Sequence, residues 1–204
     1  SLQSKRGRQR ILDTLAGAGN GLVVQPLFET IDRLTENVKA IEYEIEKLVS
    51  GDNVVELLQT IPGCGPVTAC TIRAYTDDIR RFSNHKKYAS YAGLAPWVQC
   101  SNETEHYGRI TKRGPEELRT AFVQLVVGIR RSRQSASWRL MERYEAMKMV
   151  KGSGKSIIAT ARKMSKIVWF MLTREEEFNV GFMTDNSLEK KIDSMRAALN
   201  EMSA

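Results

Sequence analysis

The sequence is poor in the residues that build metal centres and disulfide frameworks. Its 204 residues include two histidines and three cysteines, and Cys64, Cys70 and Cys100 form no Cys-x-x-Cys pair. This spacing fits neither a zinc finger nor a small disulfide scaffold, so it favours a reduced, cytoplasmic chain with buried thiols. His85 and His106 are too isolated to complete a zinc site. We therefore expect no metal site within this sequence.

Several classes of protein are excluded by segments that the sequence lacks. It has no run of about 18 apolar residues, so we expect no transmembrane helix. The basic start SLQSKRGRQR is not followed by the apolar core of a signal peptide. GSGKS at 152–156 is not a nucleotide-binding P-loop, because Met149 stands where the first glycine belongs. No G-x-S-x-G elbow of a serine hydrolase is present. The chain does not begin with Met, and we expect it to be a fragment of a longer protein.

Positive charge is abundant and unevenly distributed. The net charge is +7, and the segment from Arg109 to Lys166 alone holds fifteen Lys or Arg residues against four acids. The rest of the chain is therefore acidic. A localised positive field favours an extended polyanion as the partner, which predicts binding to nucleic acid.

A long amphipathic segment follows Pro26, which we expect to open a helix that ends before Gly51. Its apolar positions alternate in steps of four and three over residues 27–48, and they are Leu27, Ile31, Leu34, Val38, Ile41, Ile45 and Leu48. This heptad pattern is typical of a coiled coil. It predicts self-association into a dimer or a larger assembly, and the alternative is one long helix packed on its own domain.

The next segment has the pattern of a helix-hairpin-helix motif. A helix is predicted over Val54–Thr60, the turn Ile61-Pro62-Gly63-Cys64-Gly65 follows, and Pro66 opens a second helix. The glycines permit a tight turn, and backbone N–H groups at a helix start attract phosphate. We therefore predict that Pro62, Gly63 and Gly65 bind the DNA backbone. The alternative is a plain helical turn with a glycine cap.

The remaining elements predicted are also helical. Helices are expected over residues 82–93, from Pro115 onward, over 137–149 and over 157–172, with a polar loop at 97–114 and an amphipathic tail at 175–204 that is weakly helical over 188–202. No strand is predicted. The fold class is mainly α, a long coiled-coil helix followed by a helical domain containing the helix-hairpin-helix motif. Three domains are predicted. Residues 1–52 form a basic segment and the coiled-coil linker, residues 53–174 form the helical domain with the helix-hairpin-helix and the loop that contains Ser101, and residues 175–204 form the amphipathic tail.

The polar loop QCSNETEHYGRITKRG, residues 99–114, contains a candidate nucleophile. Ser101 can attack a phosphodiester if a base takes its proton and cations stabilise the phosphoryl oxygens. His106 or a water is the candidate base. The candidate cations, which are also predicted to bind DNA, are Arg109, Lys112, Arg113 and Arg119. The alternative is a turn serine beside a DNA-binding strip.

Four ordered motifs carry a resemblance to a known family. IPGCGPVTA is followed by YAGLAP, by a serine five residues after that proline, and by GRITKRGPEELR. This order resembles the C-terminal domain of the Piv/MooV-type insertion-sequence transposases, and Gly154-Lys155 and Ala161-Arg162-Lys163 are similar to that family's closing helix. The resemblance covers residues 8–173.

The resemblance implies a function and its partners. Members of that family pair a RuvC-like DEDD domain, which holds a divalent metal such as Mg²⁺, with a C-terminal domain whose serine forms the covalent link to DNA. Ser101 occupies that place, although Asn102 follows it where the family usually has glycine. An element-encoded guide RNA is a further partner that the resemblance implies. A location in the cytoplasm of a bacterium or archaeon, at the nucleoid, follows from it.

We therefore expect a C-terminal transposase fragment that binds DNA and supplies Ser101 for strand exchange. Because the RuvC-like domain is absent from this sequence, no cofactor is expected in the fragment, and the chain alone is expected to bind nucleic acid without catalysis. One alternative is a non-catalytic helix-hairpin-helix module that binds DNA or RNA. Another is a structural coiled-coil scaffold.

Overall fold

The computed structural model describes residues 4–16, 21–101, 104–135 and 138–179. It divides into two compact units, Ser1–Ser50 and Gly51–Ala204. In the described residues, no helix is both long enough and apolar enough to cross a membrane. The predicted helix at 188–202 lies outside the described residues, as does most of the 175–204 tail.

The first unit is a pair of helices, α1 (Lys5–Ala16) and α2 (Gly21–Val49). Phe28 of α2 is buried, and the guanidinium of Arg8 lies 5.3 Å from the centre of its ring. Arg8 Nη1 also donates a hydrogen bond of 2.6 Å to Asp32 Oδ2. That hydrogen bond lowers the pKa of the Asp32 carboxyl. Arg8 therefore joins α1 to the first half of α2.

The start of α2 differs from the prediction that Pro26 opens this helix. The helix begins at Gly21, and Pro26 lies inside it. Proline lacks the N–H that would bond to the carbonyl four residues earlier. Only one hydrogen bond is lost at this position, and the helix continues through it. The prediction was wrong because it treated a tolerated interruption as a beginning.

The heptad positions of α2 form a stripe that is largely exposed within the chain. Ile31 and Ile45 are half-buried. The exposed fractions of the other five are 58% for Leu27, 55% for Leu34, 53% for Val38, 60% for Ile41 and 84% for Leu48. Whether a second copy of the chain covers this stripe stays a prediction.

The second unit contains six helices and one hairpin among its described residues. They are α3 (Asn53–Gln59), α4 (Pro66–Thr76), α5 (His85–Tyr91), β1 (Pro96–Ser101), β2 (Thr104–Ile110), α6 (Glu116–Arg131), α7 (Arg139–Lys151) and α8 (Ser153–Arg174). Helices α6 and α8 pack together at the centre, α4 packs on α6, and α5 and α7 pack on α8. The prediction of a mainly helical fold is confirmed.

The apolar periodicity of the sequence identifies the core faces of the central helices. On α6 the predicted face is fully buried, and it comprises Leu118, Phe122, Leu125, Val126 and Ile129. On α8 the buried face includes Ala161, Met164, Val168 and Leu172. Burying a side chain of this size stabilises the folded state by about 1.5–3 kcal/mol. The two faces thus provide the core on which the other elements rest.

Helix α8 begins earlier than predicted. The predicted helix covers 157–172, with a connection from residue 150 onward, whereas the helix begins at Ser153. Gly152 adopts a φ of 80° and completes the reversal from α7 by itself. Ser156 Oγ donates a hydrogen bond of 2.9 Å to the carbonyl of Gly152, which stabilises the new first turn. One glycine is therefore sufficient where a longer loop was predicted.

The polar segment predicted as a loop contains an antiparallel ribbon. Its strands pair from Pro96 with Ile110 to Ser101 with Thr104. The loop prediction was wrong for these strands because it relied on apolar content. A two-stranded ribbon with exposed residues, such as Trp97 at 52%, needs no apolar alternation. Asn102 and Glu103, between the strands, lie outside the described residues.

Candidate nucleic-acid interface

The turn between α3 and α4 rests on a contact between two glycines. Gly63 has a φ of 88°, and a Cβ placed on it would lie 2.3 Å from the carbonyl carbon of Gly128 in α6. In return, a Cβ on Gly128 would lie 2.0 Å from the carbonyl oxygen of Gly63. Both distances are far shorter than any tolerable contact. Gly63 is therefore required for packing, whatever else the turn binds.

Gly65 stands in open surroundings two residues later. It precedes Pro66, the first residue of α4, and no side chain of the described residues caps this helix start. A Cβ on Gly65 would meet nothing within 4 Å. Uncapped N–H groups and the positive end of the helix dipole attract anions. Of the two predicted glycines, Gly65 has the surroundings that a phosphate contact requires.

A short connection, which we call the strap and define as residues 111–114, joins β2 to α6. The N–H of Thr111 donates a hydrogen bond of 2.9 Å to the carbonyl of Ala95. At the other end, a Cβ on Gly114 would lie 1.8 Å from the carbonyl oxygen of Tyr91, at the end of α5. The strap is thus held against the end of α5 by backbone contacts.

Three of the predicted DNA-binding cations lie on or beside the strap. Lys112, which has a φ of 52°, and Arg113 are exposed. Arg119 Nη1 donates a hydrogen bond of 3.3 Å to the carbonyl of Lys112. A Cβ on Gly93 would lie 2.9 Å from that same nitrogen. Arg119 therefore positions the strap, whereas Lys112 and Arg113 present their charges to solvent.

Ser101 is the last residue of β1, at the end of the hairpin where the chain passes from β1 to β2. Its backbone pairs with Thr104, and Gln99 pairs with His106. Paired residues, and residues two apart on one strand, occupy the same side of a ribbon. Positions 101 and 106 are thus diagonal neighbours, with Cα atoms about 7–8 Å apart. The side chains of Ser101 and His106 lie outside what the structure describes.

Arg109 falls where the hairpin is irregular. The register shifts between Pro96 and Val98, so that β2 has one more residue than β1 there. A Cβ on Gly108 would lie 3.0 Å from the Cε3 atom of Trp97. Bulges bend the strand and redirect its side chains. The side chain of Arg109 is itself not described.

The hairpin separates Ser101 from the strap cations, although they are close together in the sequence. Ser101 lies five residues from Pro96, which corresponds to about 16 Å at a rise of about 3.3 Å per residue. The strap, with Lys112 and Arg113, adjoins the Pro96 end. Within one copy of the chain, Ser101 and the strap cations therefore stand at opposite ends of the ribbon.

A second group of cations was not among the predicted site residues. It surrounds His85 between α5 and α8 and consists of Lys86, Arg162, Lys163 and Lys166. The sequence did contain a signal, since α8 has five Lys or Arg residues and no Asp or Glu. We therefore count this groove among the candidate nucleic-acid surfaces.

The cysteine and carboxyl groups do not suggest redox or metal chemistry at these surfaces. Burial raises the pKa of the Cys64 thiol to about 12, so Cys64 is a protonated core residue. Across the described ranges, no group of three or more His, Cys, Asp or Glu residues could hold a metal ion. The described residues therefore do not fit the divalent metal that the resemblance implies.

Comparison with known proteins identifies similar sequences. Residues 55–144 match the sequence profile described as "Transposase IS116/IS110/IS902 family". The chain is 24% identical over 190 residues to a "Probable family 20 transposase" of Pseudomonas aeruginosa, covering 88% of this chain and 56% of that protein. It is 26% identical over 159 residues to the "Transposase for insertion sequence element IS1111A" of Coxiella burnetii, covering 78% of this chain and 44% of that protein.

A third relative is the "Pilin gene-inverting protein" of Moraxella bovis, 28% identical over 158 residues, which cover 74% of this chain and 48% of that protein. The chain thus spans about half the length of these curated relatives. The profile match covers the segment from α3 into α7, including the hairpin and the strap. These matches show that residues 55–144 are similar to the Transposase IS116/IS110/IS902 family domain, and that the chain is similar to transposases and to a pilin gene-inverting protein.

Proposed function

We propose that the chain is the DNA-binding part of an insertion-sequence transposase and that Ser101 is its nucleophile. The observation that carries this proposal is the match of residues 55–144 to a transposase family. The names of the relatives, insertion-sequence transposases and a pilin gene-inverting protein, support DNA as the substrate. The basic segment from Arg109 to Lys166 supports a polyanionic partner.

The proposed chemistry is transfer of a DNA strand to the serine. The Ser101 oxygen would form a bond to phosphorus, the bond to one bridging oxygen would break, and that oxygen would leave with a proton. His106, a diagonal neighbour of Ser101 on the ribbon, is our candidate for the base. As the last residue of β1, Ser101 stands at the end of the ribbon away from the strap, where we propose that the phosphate binds.

The strap cations have a different proposed role. Because they stand about 16 Å from Ser101 along the ribbon, Lys112 and Arg113 would hold the DNA strand rather than stabilise the attacked phosphate. Arg119 would act through the carbonyl of Lys112. Arg109 lies five residues along β2 from Thr104, the partner of Ser101, so we propose that it too holds the strand. Pro62 and Gly65, in the turn before α4, would contact a further backbone phosphate.

The finer family assignment completes the proposal. We infer a Piv/MooV-type enzyme in which a DEDD domain, outside the residues of this chain, holds the divalent metal. A guide RNA is a further partner that we propose. We also propose a second copy of the chain as a partner, paired through residues 27–48.

The test is Ser101→Ala in the transposase of which we propose this chain to be a part, expressed with its element DNA. Ser90→Ala is the matched control, because Ser90 is an exposed serine of α5 away from the hairpin. We expect Ser101→Ala to abolish strand exchange and the covalent protein–DNA adduct, with DNA binding retained. Ser90→Ala should recombine normally.

Unchanged strand exchange in Ser101→Ala would contradict the nucleophile and leave a non-catalytic binding module. The separation of Ser101 from the strap cations is the observation that favours this second candidate. The chain alone provides another check, since we expect it to bind DNA without cutting or joining it. Cleavage by the purified chain would contradict the assignment of the metal chemistry to another domain.

A further inference from the structure

Helices α5 and α8 enclose an open groove of about 290 Å³. Two small residues, Ala89 and Ala159, line it together with a histidine and four cations. The histidine and the cations are His85, Lys86, Arg162, Lys163 and Lys166. No residue predicted to catalyse or to bind DNA lies in it, so it is distinct from the hairpin and the strap.

The charge of the groove is of one sign. Neither α5 nor α8 contains an Asp or a Glu, so the two helices offer their own cations no carboxylate. Within the described part of the chain, no salt bridge engages Lys86, Arg162 or Lys166. Concentrating like charges in one groove destabilises the fold, which makes an external anion the natural counterpart.

The pKa of the His85 side chain reflects the combined effect of the positive charges in the groove. The pKa is lowered, first by partial burial and then by Lys166, Lys86, Arg162 and Lys163. Every charged neighbour that shifts this imidazole is a cation, from both α5 and α8. The groove therefore has a positive potential that opposes protonation of His85, and a bound anion would reverse that effect.

Aromatic rings adjoin the cations. The ring of His85 lies 5.7 Å from that of Phe170 and 6.1 Å from that of Trp169, measured between centroids. Lys166 Nζ lies 5.6 Å from the centre of the Phe170 ring. Trp169 and Phe170 do not line the groove but adjoin it through His85 and Lys166, and a positively charged groove combined with aromatic rings is typical of sites that bind unpaired nucleic-acid strands.

We propose that the α5–α8 groove binds the phosphodiester backbone of a nucleic-acid strand whose bases are unpaired. Arg162 to Lys166 span about 6 Å of α8, enough for about two successive phosphates. The groove lies at the His85 end of α5, and the strap adjoins its other end, about 10 Å away. This inference rests on the proposed function for the nature of the ligand, and it adds a contact that the proposal lacks.

The test replaces two groove cations in the full chain, as Arg162→Gln with Lys166→Gln. The matched control is Lys151→Gln with Lys155→Gln, which removes the same charge from exposed positions at the junction of α7 and α8, outside the groove. Anisotropy titrations use single-stranded DNA, single-stranded RNA and duplex DNA of one sequence over a range of salt concentrations. Circular dichroism checks that both variants retain the wild-type helix content.

We expect the groove variant to lose about tenfold in affinity for a single strand, and its salt slope to fall by about 1.4, the value for two phosphate contacts. The control should lose much less, and duplex DNA should be less affected than the single strand. Loss with DNA, with RNA or with both supports the groove and identifies the strand. Should the groove variant be misfolded, Lys86→Gln at an exposed position of α5 makes the same comparison.

Equal losses in the groove and control variants would overturn the groove while leaving the proposed DNA binding intact. An absence of binding by the wild-type chain to all three probes would overturn both. His85 gives an independent readout, because the chain has only two histidines to resolve by NMR. A bound strand should raise the pKa of His85, and an unchanged pKa at saturation would contradict the proposal.

Discussion

Two glycines of one turn, Gly63 and Gly65, differ in what their surroundings permit. Replacing Gly63 by Ala would force a side chain into a φ of 88° and place its Cβ 2.3 Å from the backbone of Gly128. The left-handed conformation costs roughly 1–2 kcal/mol, and overpacking adds about 1–3 kcal/mol. We therefore expect Gly63→Ala to lower the free energy of unfolding by about 2–5 kcal/mol, measured by urea denaturation.

Gly65→Ala is the control for this substitution. Its φ is −79°, and a Cβ there meets nothing within 4 Å, so the loss should be below about 1 kcal/mol. Equal stability of the two variants would contradict the packing role of Gly63. Because Gly65→Ala should leave the chain folded, this variant can also test the proposed phosphate contact at the start of α4.

The sequence pattern identified the turn but not what it packs against. Apolar-Pro-Gly-x-Gly predicts a tight reversal because glycine tolerates positive φ. Gly128 is 65 positions away on a helix whose periodicity only indicates a buried face. The contact between Gly63 and Gly128 depends on how α4 and α6 cross, and no local pattern encodes that crossing.

At the scale of an element, Asp52 determines how α3 begins. Its Oδ1 accepts hydrogen bonds from the N–H groups of Val54 (2.9 Å) and Val55 (3.2 Å), and its Oδ2 accepts one of 3.0 Å from Arg73 Nε of α4. Replacing it by Ala removes the cap, which typically costs about 1–2 kcal/mol. We expect Asp52→Ala to lower the free energy of unfolding by that amount at neutral pH, measured by urea denaturation.

Asp52→Asn separates capping from charge, because Asn is an equally good cap. It should lose only the partly exposed ion pair with Arg73, less than about 1 kcal/mol. A loss in Asp52→Asn as large as that in Asp52→Ala would contradict the capping role and assign the stability to the charge.

The same carboxyl predicts a pH dependence. Partial burial raises the pKa of Asp52, but the hydrogen bonds from Val55, Arg73 and Val54 outweigh it and lower the pKa overall. A carboxyl whose folded pKa is depressed stabilises the fold above its unfolded pKa of about 3.9. The stability difference between wild type and Asp52→Asn should therefore shrink as the pH falls below about 4, in urea titrations at several pH values. A difference that grows on acidification would contradict the shift.

Helices with a buried stripe were predictable from the sequence, whereas the hairpin was not. On α6 and α8 the apolar residues recur with a period of 3.6 residues, and this pattern identified the buried face of each helix. Residues 96–110 are largely polar, and a ribbon stabilised by backbone pairing needs no periodic pattern of apolar residues. The distance between Ser101 and the strap follows from that ribbon, and sequence spacing alone could not predict it.

At the scale of the whole molecule, the distribution of charge along the sequence does not show which surfaces the cations form. The basic segment 109–166 was evident, but counting along the chain did not separate its surfaces. Helix packing brings Lys86 of α5 beside three cations of α8, while Lys112 and Arg113 stand at the other end of α5. A single basic segment therefore contributes to at least two surfaces, and the whole fold is needed to tell them apart.

At the scale of the whole molecule we also predict that the α2 stripe pairs with a second copy of the chain. Five apolar residues of residues 27–48 are more than half exposed, and their heptad spacing matches a coiled-coil seam. We expect Ile41→Asp to convert the associated chain to a monomer, because it places a charge in the seam. Ala40→Asp, one residue away and off the stripe, introduces the same side chain and should leave the assembly intact. Sedimentation equilibrium over a range of concentrations measures the mass of both variants. A monomeric wild type, or equal masses for the two variants, would contradict the coiled coil and leave α2 as an isolated helix.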